Sequence, residues 1–247
     1  MKDEIVLNGI ILATGLVGEY DRRLVILTRE RGKITAFAKG VRRSTNQLIS
    51  SCQIFVMGAF TLYEGRDAYT VKNIEVKEYF HELTFDMDKY CYGSYFCEIM
   101  AYFTHEGEAS SDYLNLLFVS LNALKKGFIP AKLIRCIYEL KLMDVFGQGL
   151  QSSICPICGR DQVSCVFDAR SGGMLCDDCA ERAFAPMVIK PAVLYALQYI
   201  NGAEFGRLYQ FNLAEDVLTE LIMVCNSFMS VYVDKKFNSL EIINSLS

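Results

Sequence analysis

The sequence lacks the motifs that usually bind and hydrolyse nucleotides. There is no GxxxxGKS/T loop to hold phosphates, and no GxGxxG segment follows a predicted strand. Histidine, the most frequent general acid or base, occurs only as His81 and His105, and neither lies in a recognisable catalytic pattern. We therefore expect a protein that binds its target without catalysing a reaction.

Long apolar segments are also missing. No run reaches the roughly 18 residues that are needed to cross a bilayer. The chain starts with Lys2, Asp3 and Glu4 before a short apolar run at 5–12, so it lacks the basic start and the cleavage site of a signal peptide. With 52 % apolar content in 247 residues, we expect a folded cytoplasmic protein with no membrane partner and with one large domain or two to three small ones.

One segment is strongly basic in an otherwise acidic chain. Residues 22–43 hold eight Lys or Arg and the single acid Glu30, which gives +7 in a chain whose formal net charge is −4. Clustered cations attract a polyanion because their field acts locally, whereas distant acids are screened beyond roughly 8–10 Å at physiological salt. Single basic residues at hairpin ends usually serve solubility and edge protection. Eight together favour a binding surface.

The first 80 residues have the alternation of a small β-barrel. Five β-rich runs are separated by glycine-containing or polar turns, and they span 5–14, 22–28, 33–39, 52–63 and 68–76. This pattern predicts an OB-fold, with an SH3-like barrel as the second choice. The basic segment then lies on the second and third strands and the following loop, a surface that receives oligonucleotides in OB-folds. The aromatic residues considered for base stacking, most of them expected inside the barrel, are Phe37, Phe55, Phe60, Tyr63 and Tyr69.

Helical periodicity follows the barrel. Apolar residues recur at three- and four-residue spacing over 92–103, 113–126, 130–146, 191–202, 212–232 and 239–246. Asn212 and Glu215 are typical of a capping box at the start of a long helix. Several helices are apolar on more than one side, so they either bury against one another, which is the more frequent case, or leave a groove for a partner peptide.

Two CxxC pairs are the most specific local signal. Cys155 and Cys158 are followed, after seventeen residues, by Cys176 and Cys179. Two such pairs complete a tetrahedral site for one structural Zn²⁺ per chain, with two local disulfides or vacant thiols as the alternative. Four sulfur ligands leave no coordination position for water, whereas a zinc-dependent hydrolase requires an open position.

The other cysteines have a simpler interpretation. Cys165 lies between the two pairs and is interpreted as a bystander. The remaining five lie in apolar runs and are interpreted as small core residues: Cys52, Cys91, Cys97, Cys136 and Cys225.

These signals predict an α+β multidomain protein with an N-terminal OB-fold β-barrel, an α-helical domain and an inserted zinc-binding module that uses four cysteines. The predicted boundaries are an OB-fold nucleic-acid-binding domain at 1–80, a first helical part at 81–150, the zinc module at 151–184 and a second helical part at 185–247.

Nearly the whole chain resembles the RecO family of bacterial recombination mediators. The specific part is LTRERGK at 27–33 followed by AKGVRR at 38–43. Further agreement lies at 18–24, 106–108, 138–142, 155–159 and 176–179. The resemblance implies DNA repair by recombination: binding of single- and double-stranded DNA, annealing of complementary strands coated by single-strand-binding protein, and help with RecA loading together with RecR. It also implies a helical-domain site for the hydrophobic tail of single-strand-binding protein, and association with the nucleoid.

Six residues are the candidate DNA contacts. Lys33, Lys39, Arg42 and Arg43 are the first choices for phosphate binding, and Arg29 and Arg31 come next. Arg22 and Arg23 are divided between barrel packing and surface. The alternative function is an OB-fold and zinc adaptor that binds RNA or acts in transcription, since a basic hairpin fits either backbone.

Overall fold

The computed structural model describes residues 4–66, 68–108, 110–183 and 186–246. Contacts within the chain divide it into two compact units. Unit 1 comprises Met1–Lys125 and Phe237–Ser247, and unit 2 comprises Lys126–Lys236. The predicted division into four segments stays a prediction, and its last boundary, between 184 and 185, lies outside the described residues.

Unit 1 contains a closed five-stranded barrel. Its strands are β1 (Glu4–Val17), β2 (Asp21–Thr28), β3 (Gly32–Ala38), β4 (Met57–Tyr63) and β5 (Tyr69–Glu78). They close in the order β1-β2-β3-β5-β4, with β3 and β5 parallel and the other pairs antiparallel. This arrangement is that of an OB-fold, and the predicted fold class is confirmed.

The barrel encloses one apolar core because alternate residues of each strand point inward. Leu24, Ile26, Ile34 and Phe60 are among its fully buried members. β1 pairs with β4 as far as Ile10, and its residues 13–17 continue beyond that point as a hairpin with β2. The strand therefore carries the β1–β2 turn, which we define as residues 18–20, past the end of its pairing with β4.

The predicted strand at 52–63 begins only at Met57. Cys52, Phe55 and Val56 are buried as predicted from their apolar character, but Phe55 has a φ of 72°, which no strand residue adopts. Its N–H donates to Ile11 O over 3.0 Å. The segment is therefore a buried turn. Its apolar composition led to the wrong prediction of a strand from residue 52.

The helices are α1 (Met87–Phe103), α2 (Ser111–Lys126), α3 (Ala131–Val145), α4 (Asp177–Ala180), α5 (Pro191–Gly202), α6 (Glu215–Tyr232) and α7 (Asn238–Leu246), with 3-10 turns at His81–Phe85 and Phe205–Arg207. In unit 1, α1 is buried around most of its circumference and packs against α7. The Ser239 hydroxyl donates to the Glu98 carboxylate over 2.9 Å, and the Phe237 ring contacts those of Tyr95 and Tyr102.

Unit 2 packs α3 against α5 and α6 and carries a small sheet. The sheet has the order β7-β6-β8, formed by β6 (Val166–Asp168), β7 (Gly173–Leu175) and β8 (Met187–Val188). The predicted capping box is wrong. The residue before α6 is Ala214, which has no capping side chain, and Asn212 Oδ1 accepts the N–H of Leu213 instead.

Candidate nucleic-acid interface and metal centre

The β2–β3 hairpin separates the basic residues into two groups. The two strands pair from Arg22 opposite Ala38 to Thr28 opposite Gly32. Six residues of strand at about 3.4 Å each place the two ends of the hairpin about 20 Å apart. Lys39, Arg42 and Arg43 therefore lie at one end, and Arg29, Arg31 and Lys33 at the other.

Residues 39–43, here called the basic loop, carry the first group. Val41 is buried in the barrel core and anchors the loop, while the side chains of Lys39, Arg42 and Arg43 are exposed. In the described part of the chain, these three side chains make no ion pair with a carboxylate. Their charges are therefore available to an external anion.

The basic loop is bound to the β1–β2 turn. The Arg42 N–H donates to Tyr20 O and its guanidinium donates to Glu19 O, both over 2.9 Å. The Gly40 N–H, at a φ of 62° that suits glycine, donates to the Asp21 carboxylate over 2.7 Å. The Arg43 guanidinium lies over the Tyr20 ring, 5.1 Å from its centroid. The cations are therefore held in place before any ligand arrives.

Arg22 and Arg23 begin β2 near this end. The Arg22 guanidinium is half-buried and donates to Cys52 O over 2.7 Å. It therefore stabilises the turn that precedes β4. Arg23 is exposed. The predicted division of these two residues between packing and surface agrees with this placement.

At the other end, Arg31 faces carboxylates. Its guanidinium donates to Glu64 over 2.5 Å and to the Tyr69 hydroxyl over 3.0 Å, and that hydroxyl in turn lies 3.4 Å from the Glu106 carboxylate. The hydrogen bond to Glu64 is the largest cause of the raised pKa of Arg31. A phosphate approaching Arg31 meets these carboxylates as well, so the predicted DNA contact has little geometric support.

Lys33 and its neighbours connect the barrel to the end of α1. The Lys33 ammonium donates to Ala101 O, near the last turn of α1, and its N–H donates to His105 O over 3.1 Å. Gly32 has a φ of 66°, and a Cβ there would collide with His105 O. Arg29 is exposed, and its N–H donates to Asn8 O over 2.7 Å. The LTRERGK segment thus joins the barrel to the end of α1.

Replacement of Lys33 tests whether its contact with the end of α1 stabilises the fold. We expect Lys33→Met to lower the free energy of unfolding by about 1–2 kcal/mol, because an ammonium-to-carbonyl hydrogen bond and a favourable charge at a helix C-terminus are lost. Urea unfolding measures the stability, and a salt titration of DNA binding measures the electrostatic contribution. A loss of salt dependence with unchanged stability would show that Lys33 contacts phosphate.

The four cysteines of the CxxC pairs meet at one point in unit 2. Their Sγ atoms all lie within 4.8 Å of one another, and those of Cys158 and Cys176 are 3.6 Å apart. Tetrahedral Zn–S bonds of about 2.3 Å place sulfur atoms about 3.8 Å apart, so the donor set and its spacing fit zinc. All ten cysteines lie in the described residues and none is disulfide-bonded, which removes the disulfide alternative.

Local structure acts differently on two of the four thiols, because burial and the neighbouring thiols raise the pKa of Cys179 to about 12, whereas the pKa of Cys155 is lowered. Burial raises the pKa of the Cys155 thiol, but backbone N–H groups of Cys176, Cys158 and Ile157 donate to the sulfur and bring the pKa down to about 6. Arg160 pairs with Asp178 over 2.8 Å and so links the two CxxC turns. Cys165 is half-buried and outside the cluster, and the five cysteines predicted as core residues are buried.

The aromatic residues considered for stacking are poorly placed for it. Phe55 and Phe60 are fully buried, Tyr69 is nearly so, and Phe37 and Tyr63 are half-buried. The exposed ring beside the basic loop is Tyr20, which sequence reasoning missed. The available signal was its position between Gly18 and Arg22, in one of the segments that carry the family resemblance.

No helix in the ranges that the structure describes has the length and apolar character of a membrane span.

Comparison with known proteins gives consistent matches over both parts of the chain. The family model described as Recombination protein O N terminal matches residues 1–80, and that described as Recombination protein O C terminal matches residues 84–241. A protein named DNA repair protein RecO from Acetivibrio thermocellus is 31 % identical over 245 residues, which cover 97 % of this chain and 96 % of that protein. Proteins of the same name from Alkaliphilus metalliredigens and Clostridium novyi are 31 % and 29 % identical, over 97 % of this chain and 98 % and 93 % of theirs.

Proposed function

Because the chain belongs to the RecO family, we propose that it is a non-catalytic, DNA-binding mediator of recombinational repair. The observation that supports this most is the basic loop, where Lys39, Arg42 and Arg43 are exposed on an OB-fold barrel and make no ion pair among the described residues. The repair function in the names of the relatives agrees with such a surface. In this proposal the protein acts in the cytoplasm at the nucleoid.

Its action is the annealing of complementary strands. Two single strands repel each other through their phosphates, and a protein that binds both lowers this cost by placing cations between them and releasing counterions. We propose that the basic loop does so on strands coated by single-strand-binding protein. Together with RecR, the protein then promotes the loading of RecA on DNA.

A second surface is proposed for the hydrophobic tail of single-strand-binding protein. Large apolar side chains are exposed on or beside helices in each unit: Phe85 and Met87 in unit 1, and Phe128 in unit 2. Contiguous apolar patches mark binding sites for an apolar peptide, and we propose that one of these side chains belongs to such a patch.

The proposed cofactor is one structural Zn²⁺ per chain, held by Cys155, Cys158, Cys176 and Cys179. Four thiolates fill a tetrahedral shell, so the metal stabilises the fold around β6 and β7 and offers no position to a substrate. This closed shell supports the assignment as a non-enzyme.

An annealing assay tests the proposed function. We expect the full chain to accelerate the pairing of complementary strands coated by single-strand-binding protein, and Lys39→Ala/Arg42→Ala/Arg43→Ala to lose most of that acceleration. Fluorescence transfer between labelled strands measures the rate. The matched control is Lys132→Ala/Arg182→Ala/Arg207→Ala, which removes the same charge from exposed positions of unit 2. If both triple variants anneal like the wild type, or if matched RNA displaces DNA at equal concentration, the proposal fails.

A further inference from the structure

Tyr20 stands out among the aromatic side chains of the barrel. Its side chain is 41 % exposed on the β1–β2 turn, whereas the rings of Phe55 and Phe60 are fully buried. The turn lies beyond the end of the β1–β4 pairing, where no strand of the barrel covers it from the β4 side. A large aromatic ring in water has an energetic cost, since burying its apolar surface is favourable. Such a ring on an exposed turn is suited to contact with a ligand.

The ring is held in place by its neighbours. The Arg43 guanidinium covers it at 5.1 Å from the centroid, and the backbone of Tyr20 is bound to the basic loop through the Arg42 N–H. The remaining exposure of the ring therefore lies away from Arg43. A fixed ring loses little conformational freedom when a flat ligand stacks on it.

The charges around Tyr20 favour an anionic ligand that also has a flat apolar part. Lys39, Arg42 and Arg43 supply the cations, and the carboxylate of Asp21 is occupied by the Gly40 N–H. One acid remains beside the ring, because the Tyr20 phenol hydrogen-bonds to the Glu19 side chain, which is the main cause of the raised pKa of that phenol. In a nucleotide, the base and its phosphate are joined through one sugar. A base stacked on Tyr20 thus brings its phosphate to the guanidinium groups.

We propose that Tyr20 is a base-stacking residue that gives the basic loop its selectivity for unpaired DNA bases. This inference rests on the proposed function, because it adds a base contact to the proposed phosphate contacts. A base in a duplex is covered on both faces by its neighbours, whereas an unpaired base can leave its stack and place a face on the ring. The cations of this site attract single strands and duplexes alike. Tyr20 therefore makes the site bind single strands more tightly than duplexes.

Three DNA probes separate the base contact from the phosphate contacts. They are a dT20 oligonucleotide, a 20-nucleotide abasic strand with the same sugar-phosphate backbone, and a duplex compared at equal phosphate concentration. With the full chain, we expect Tyr20→Ala to weaken binding of dT20 by about 5- to 150-fold, the range for loss of one stacked base. Binding of the abasic strand and of the duplex changes less than about twofold, and Tyr20→Phe binds dT20 nearly as the wild type does, because the stacking face is kept.

A matched control and a direct measurement complete the test. Tyr79→Ala removes a ring of nearly equal exposure, 42 %, that follows β5, and we expect no change with any probe.

In the wild type, irradiation of dT20 containing one 5-iododeoxyuridine should cross-link Tyr20, identified by mass spectrometry. Equal weakening of dT20 and abasic binding by Tyr20→Ala, or cross-links only at other residues, would overturn the inference while leaving the phosphate site intact. Unchanged binding of all three probes by the Lys39, Arg42 and Arg43 triple variant would instead overturn the proposed function.

Discussion

Removal of the three side chains Lys39, Arg42 and Arg43 is expected to weaken DNA binding by about 100-fold at 0.1 M salt, since each lost phosphate contact removes about 0.7–0.9 from the slope of log affinity against log salt. The triple alanine variant should therefore lose about 2–3 of that slope. All three side chains are exposed without an ion pair among the described residues, so little stability should be lost with them. Fluorescence anisotropy over a range of salt concentrations measures both quantities.

The control for this prediction has the same net charge as the test variant. The Lys132, Arg182 and Arg207 triple variant lowers the net charge by three in unit 2, and its slope should equal that of the wild type. A comparable fall in both variants would mean that overall charge, and not the basic loop, governs binding. Arg31→Ala should lie close to the wild type as well, because Glu64 already faces that guanidinium.

Loss of the metal centre is the second large effect that we expect. Cys176→Ser should reduce bound zinc from one per chain to none and unfold the region around β6, β7 and α4. Structural zinc sites in finger peptides contribute about 10–16 kcal/mol. Because about 1.4 kcal/mol already corresponds to a tenfold change in population, tryptic cleavage at Arg160, Arg170 and Arg182 should become more than about tenfold faster. Elemental analysis and timed proteolysis measure the two effects.

The neighbouring Cys165 supplies the control for the metal centre. It belongs to the same region but not to the cluster, so Cys165→Ser should keep its zinc and its resistance to trypsin. Retention of one zinc per chain by Cys176→Ser would show that the four sulfur atoms are not the ligand set. DNA affinity should remain unchanged in both variants, because the basic loop belongs to unit 1.

Much of this architecture could be predicted from the sequence because its signals are local. Strand alternation, helical periodicity and the CxxC spacing each follow from neighbouring residues, and the barrel, most helices and the cysteine cluster confirm them. The errors at Phe55 and at the start of α6 are local as well. At Phe55 a buried apolar run adopts a turn, and at Asn212 the side chain bonds to the next residue in place of the helix.

The division of the basic segment could not be predicted, because it depends on distant partners. Glu64 and Glu106 reach Arg31 and Tyr69 only after the barrel has closed, and Ala101 O lies 68 residues after Lys33. From the sequence alone, eight cations in one run therefore predicted a single basic surface. Tyr20 was missed for a related reason: its exposure depends on how far β1 extends beyond its pairing with β4.

The discontinuity of unit 1 has a consequence for synthesis on the ribosome. Residues 126–236 are translated before α7, whose Ser239 completes the packing on α1 together with the preceding Phe237. Unit 2 is contiguous, so it can reach its native contacts while the surface of α1 that receives α7 is still uncovered. Until α7 is made, the ring faces of Tyr95 and Tyr102 that contact Phe237 are exposed to chaperones.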